Sequence, residues 1–241
     1  MTMHYFLTPL HTHIDFGFGA TGDAFKNAAD TLEGALPERG GIFNEQLPIN
    51  YLRRHAIELF LKSAIVIVHR RLGLPYGPVP DSGEPYALVD GQWISFTRLH
   101  SVKRLWSYLS ALFIEQKKFF DNIKRVDWTF PMEVDAWIDE IEAKDPRSTF
   151  FRYPNPRDAA TDAPKAVMAA STTNEIMARL ATEEREQKEL ILLMKNKAGD
   201  ITHGYYYAGD QQASFNSVLK KCSEIFSGMH IALRVEVCGG A

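Results

Sequence analysis

The stretch over residues 48–72, PINYLRRHAIELFLKSAIVIVHRRL, leaves this chain fewer options than any other. Pro48 suits the first turn of a helix, where its missing N–H costs nothing, and Gly73 and Pro75 supply the stop. Between them Ile49, Leu52, Ala56, Phe60, Ser63 and Ile67 recur at three- and four-residue steps and so share one face. Ile57, Leu61, Ile65 and Val68 make a second apolar stripe on another side. A helix apolar on two sides is sandwiched between layers or sits at a subunit interface. What remains is a narrow polar band of Arg54, His55, Glu58, Lys62 and His69. Arg54 to Glu58 and Glu58 to Lys62 are each four apart, the spacing at which charges pair along a helix. Two arrangements fit the band. It is either a solvated edge, with ion pairs each worth about 0.3–0.5 kcal/mol, or a polar cleft enclosed beside the central helix.

A chain of 241 residues is long enough to bury a real core around such a helix. Apolar residues make up 45% and charged residues 24%, the balance of an ordinary globular protein. A net charge of −3 gives no global basic field of the kind that draws in nucleic acid. Cys222 and Cys238 offer neither zinc spacing nor a disulfide framework, which fits a reduced cytoplasmic compartment. The N-terminus lacks the basic start and apolar core of a signal peptide. No apolar run is long enough to span a bilayer, so no membrane association is expected.

Around the central helix, residues 1–22 read as irregular, with Gly17, Gly19 and Gly22 acting as breakers. Asp23 then caps a helix running to about Leu36, which Pro37, Gly40 and Gly41 end. Within residues 84–96, Asp90-Gly91 between two short apolar runs predicts a small hairpin. Thr97 is the expected cap of a helix over residues 98–121, with His100, Arg104 and Ser107 opposite its apolar face. Residues 98–125 carry seven basic against two acidic side chains, and residues 132–145 six acidic against one basic. Opposite nets of five charges suggest that the two segments lie together. A short acidic helix is expected over residues 131–144, an extended arm over 145–170, a long helix over 173–197 and a last helix over 210–226. The alternation of Ile231, Leu233, Val235 and Val237 predicts one C-terminal edge strand. The expected class is mainly α, with an irregular segment over 1–22, one helical domain over 23–227 and a tail over 228–241.

Three stretches, LRRHAIELFLK (residues 52–62), LHSVKRLW (99–106) and FRYP (151–154), together resemble the HEPN superfamily, in a bacterial and phage-linked branch with RHaxELxLK, HxLxxLW and FRYP motifs. The resemblance spans residues 22–225. It implies a HEPN-like bundle of four or more helices that commonly dimerises, in anti-phage or toxin–antitoxin settings. Catalytic members cleave RNA without metal, using an Arg and a His four to six residues apart. This sequence departs from that pattern: Arg54 and His55 are adjacent, and Arg98 and His100 are two apart.

The candidate catalytic residues are His55 and His100, because imidazole titrates near neutral pH and RNA transesterification needs a proton acceptor and a donor. Arg54, Arg104 and Arg152 are candidate phosphate holders, and Glu58 and Lys62 complete the candidate binding set. Each also has a structural reading, as a hydrogen-bonded bundle histidine or an arginine paired with a buried carboxylate. The HTHID stretch with His11, His13 and Asp15 looks like the first ligand set of a metal hydrolase, but such sites need further ligands on barrel strands. No metal and no cofactor are expected. Three tyrosines at 205–207 could stack bases or make a protein contact. The leading expectation is a cytoplasmic, HEPN-like binding or regulatory component of a prokaryotic defence system. Its expected partners are a second copy or a protein of the same complex, with RNA or a nucleotide as ligand candidates. A metal-independent ribonuclease with a rearranged Arg/His site is the alternative, and a metal-dependent hydrolase is the third.

Overall fold

A computed structural model describes residues 4–39, 44–78, 83–154, 158–181, 190–209 and 211–240. The chain divides into two compact units, one of residues 1–35, 46–153 and 214–241, the other of residues 36–45 and 154–213. The helical domain expected over residues 23–227 is therefore interrupted by a second unit. The supposed tail over 228–241 belongs to the first.

The first unit is built on the central helix α3 (Gln46–Leu72), which follows the short α1 (His4–Leu7) and α2 (Phe18–Arg39). Every residue from 56 to 69 is buried, so both apolar stripes are covered by the chain itself. The second face thus gives no reason to require another copy. On one side α3 packs against α4 (Val102–Glu115), which in turn packs on α6 (Val134–Lys144). On other sides lie α2 and α9 (Ala213–Ala232): the Phe60 ring stands 3.0 Å from where a Cβ on Gly22 would sit, and 5.7 Å from the ring of His230, centroid to centroid. Among the described residues, no helix is long and apolar enough to cross a membrane.

The expected hairpin forms between β1 (Tyr86–Val89) and β2 (Gln92–Ser95), paired Val89 to Gln92. Asp90 and Gly91 take φ of 52° and 76°, as the tight turn requires. The helix expected over 98–121 starts later and breaks once. Ser101, not Thr97, caps α4 by accepting from the Arg104 N–H at 3.1 Å, and α5 (Lys117–Asp121) follows as a separate turn. The oppositely charged segments do meet, through Lys103 to Asp139 at 2.8 Å.

Other expectations fail. Residues 1–22 are not irregular throughout, and α2 begins at Phe18 because Asp15, rather than Asp23, accepts from the N–H groups of Gly17 (3.0 Å) and Gly19 (2.8 Å). Pro37, expected to end that helix with Gly40 and Gly41, lies inside it, and the two glycines lie outside the described residues. The C-terminal edge strand is instead the end of α9 and a π turn, Leu233–Val237. Helical spacing, Met229 to Leu233 and His230 to Arg234, outweighs the alternation there, since all four side chains are buried. Finally, the long helix over 173–197 is a short helix, α8 (Thr173–Ala181), followed after residues 182–189, which lie outside the description, by strand β4 (Ile191–Lys195).

The second unit is organised around an antiparallel sheet. Beside α7 (Ala159–Asp162) it holds β3 (Met168–Ser171), α8, β4 and β5 (Ile201–Tyr207), in strand order β3-β5-β4. The three tyrosines at 205–207 thus lie on the central strand. Gly204 lets α8 close on it: a Cβ there would stand 2.3 Å from Ile176 Cδ1.

Candidate functional site

The polar band of α3 is enclosed. Arg54 and Glu58 are 0% and 1% exposed, and Lys62 is 3%. Glu58 gathers three donors: Arg54 Nη1 at 3.1 Å on one oxygen, Lys62 Nζ at 2.6 Å and His100 Nδ1 at 3.0 Å on the other. Each cation has a second anchor. Arg54 Nη2 donates to the His100 carbonyl at 2.6 Å, and Lys62 Nζ to the Phe96 carbonyl at 2.7 Å. Asp145, also buried, completes the charge balance with an oxygen 3.9 Å from Arg54 Nε. Its other oxygen accepts from the N–H groups of Thr149 (2.7 Å) and Phe150 (3.0 Å), folding the start of the arm. Two cations thus face two carboxylates in a closed, nearly dry network.

Burial alone would raise the Glu58 carboxyl. Lys62, Arg54 and the hydrogen bonds from Lys62 and His100 outweigh it and hold Glu58 below the usual carboxylate range. For Lys62 the balance runs the other way: desolvation, helped by Arg54, pulls its ammonium below the ordinary value despite Glu58.

The sequence-chosen residues do not assemble into one acid–base site. His55 is packed against the edge of Phe25 (4.6 Å between centroids) and stacked on Tyr51 (5.9 Å). Its pKa is lowered first by burial, with Lys62 and Arg54 adding to the effect and Glu58 opposing it. His100 precedes α4 rather than riding on it, and its side chain is 48% exposed while Nδ1 rests on Glu58. Arg104 pairs with Asp90 at the hairpin turn (2.7 Å). Arg152 lies over the Tyr153 ring at 5.0 Å and donates to the Tyr153 hydroxyl at 2.9 Å. Arg54, Glu58 and Lys62 form one internal network, and Arg104 and Arg152 are not part of it.

Two buried groups escaped the sequence reading. Arg53, fully buried, donates to Glu33 at 3.0 and 2.8 Å and to Asp30 at 3.2 Å, and Lys220 joins Glu33 at 2.8 Å. Arg53 first, then Lys220, draws the Glu33 carboxyl down to about 2. Its signal was visible: Arg53 stands four residues before Ile57, in line with an apolar stripe. The second group is a relay. The Tyr5 hydroxyl bonds His230 Nε2 at 3.2 Å, His230 Nδ1 bonds Ser63 Oγ at 2.9 Å, and Ser63 Oγ donates to Asp15 at 2.6 Å. Burial pushes the His230 pKa to about 4, so the neutral ring donates from Nδ1 and accepts at Nε2. Beside it, burial lifts Asp23 to about 6 against the pull of Arg234 and Lys26.

This relay also explains the HTHID stretch. His11 is exposed, His13 stacks on Tyr5 at 4.5 Å and bonds Thr8 at 2.9 Å, and both oxygens of Asp15 already hold protein donors. Among the described residues, no three metal-capable side chains gather.

No family model matches this chain, and no curated protein or solved structure is significantly similar to it.

Proposed function

We propose that the chain is a HEPN-like helical binding or regulatory component of an anti-phage or toxin–antitoxin type defence system, without RNA cleavage of its own. One observation carries the non-catalytic part. Two of the three motif stretches behind the HEPN resemblance meet in a single internal network: Arg54, Glu58 and Lys62 come from the first and His100 from the second. Asp145, which touches Arg54, folds the turn leading into the third. In this chain the first two motifs therefore act as a folding signature, and Arg54 and Lys62 are committed to Glu58 and backbone carbonyls. The defence setting rests on the resemblance alone.

The ribonuclease alternative keeps one point in its favour. His100 is half-exposed and oriented by a buried carboxylate, the arrangement a general base uses. Incubating the protein with total tRNA and mRNA in chelator separates the two readings. No cleavage above background is expected. Cleavage that persists in chelator and disappears in both His55→Ala and His100→Ala would make the ribonuclease reading the better one.

A further inference from the structure

We propose that the first unit carries a binding pocket for a neutral, planar aromatic molecule bearing a hydrogen-bond acceptor. Between α4, α5 and the segment of residues 123–130 lies a cavity of about 510 Å³. That is within the ~300–1,000 Å³ typical of small-molecule sites. Its walls are rings: Trp106, Phe113, Phe120, Trp128 and Phe130. These hold one another in fixed geometry, with Phe113 stacked on Phe120 at 4.3 Å and Trp106 edge-on to Phe130 at 4.9 Å. Ile114, 75% exposed, forms an apolar lip. A rigid aromatic slot of this kind favours a flat guest, because ring faces stack at little conformational cost.

The polar groups narrow the class further. Trp106 Nε1 is already committed to Asp135 at 2.6 Å. Trp128 Nε1 and Ser110 Oγ are buried in the same walls with no hydrogen-bond partner among the described residues. An unmet buried donor is unfavourable, so a carbonyl oxygen or ring nitrogen brought within reach of either gains a bond and sacrifices none. The ionised residues around the cavity are Lys117 and Lys124 against Asp121, Asp127 and Asp135. Lys117 is paired with Asp121 at 2.7 Å. One excess negative charge disfavours an anionic guest. This inference does not depend on the defence reading.

The test titrates the full chain, by calorimetry and by NMR of its indole N–H signals, with three probes of similar size: 2-quinolone, naphthalene and 2-naphthoate. Quinolone should bind best and move the Trp128 indole proton downfield. Naphthalene, lacking the acceptor, should bind roughly fivefold more weakly, the effect of one net hydrogen bond, and naphthoate should bind weakest. Trp128→Phe should erase the preference of quinolone over naphthalene while the chain stays folded by circular dichroism. Ser110→Ala, a mild change on a helix, should reduce the same preference and stands as the second variant if the first fails to fold. Equal binding of quinolone and naphthalene, tighter binding of naphthoate, an unmoved Trp128 indole, or no binding at millimolar probe would each overturn the proposal.

Discussion

Replacing Glu58 with alanine is expected to destabilise the protein by about 3–5 kcal/mol, the cost of leaving an uncompensated charge in a buried site. Enclosure sets the size of the effect. On a solvated helix edge the same change would cost less than about 1 kcal/mol, but Glu58 is 1% exposed and is the shared acceptor of Arg54, Lys62 and His100. The pH dependence follows from its sign. Glu58 is held below its ordinary value of 4.5 in the fold, so its contribution is complete above that value and fades as pH falls through the folded one. The gap between wild type and Glu58→Ala should therefore be widest near neutral pH and close in acid. Denaturant midpoints for both proteins across pH check this. Coincident midpoints at pH 7 would show that the network holds nothing together.

Gly19→Ala should destabilise by about 3 kcal/mol, where helix propensity alone predicts a gain of up to ~1 kcal/mol. The two effects have opposite signs, which makes the experiment decisive. A Cβ on Gly19 would stand 1.9 Å from His230 Cε1. That ring cannot swing away freely, because Ser63 holds one nitrogen and Tyr5 the other. Moving it breaks the relay and leaves Ser63 partly unsatisfied within the core. A thermal melt unchanged or raised in Gly19→Ala would show that the close approach has slack.

Both predictions depend on residues whose meaning the sequence disclosed unevenly. The central helix and the i, i+4 ladder of Arg54, Glu58 and Lys62 were legible because helical periodicity is a local property. The hairpin was legible because Asp-Gly turn chemistry is local too. What could not be read was long-range. Gly19 and Gly22 look like helix breakers until His230 and Phe60 are seen lying against them. Asp15 looks like part of a metal set until Ser63, 48 residues on, is found at its oxygen. The strand at 191–195 failed for another reason: a short apolar run reads equally as helix or strand, and only pairing with 201–207 decides. The aromatic cavity was invisible because its walls come from three separate segments.

The relay has a temporal side. Tyr5 and His230 stand 225 residues apart in the chain, yet each supplies a partner the other needs. At about 5–20 residues per second of synthesis, a difference of 225 positions means that roughly 11–45 s separate the making of the two. Until its end Ser63 has no histidine to meet, and α3 lacks α9 as a neighbour. Residues 154–213 of the second unit are made inside the same window. The first unit thus remains open until nearly the whole chain exists, with its central helix still lacking one of its neighbours.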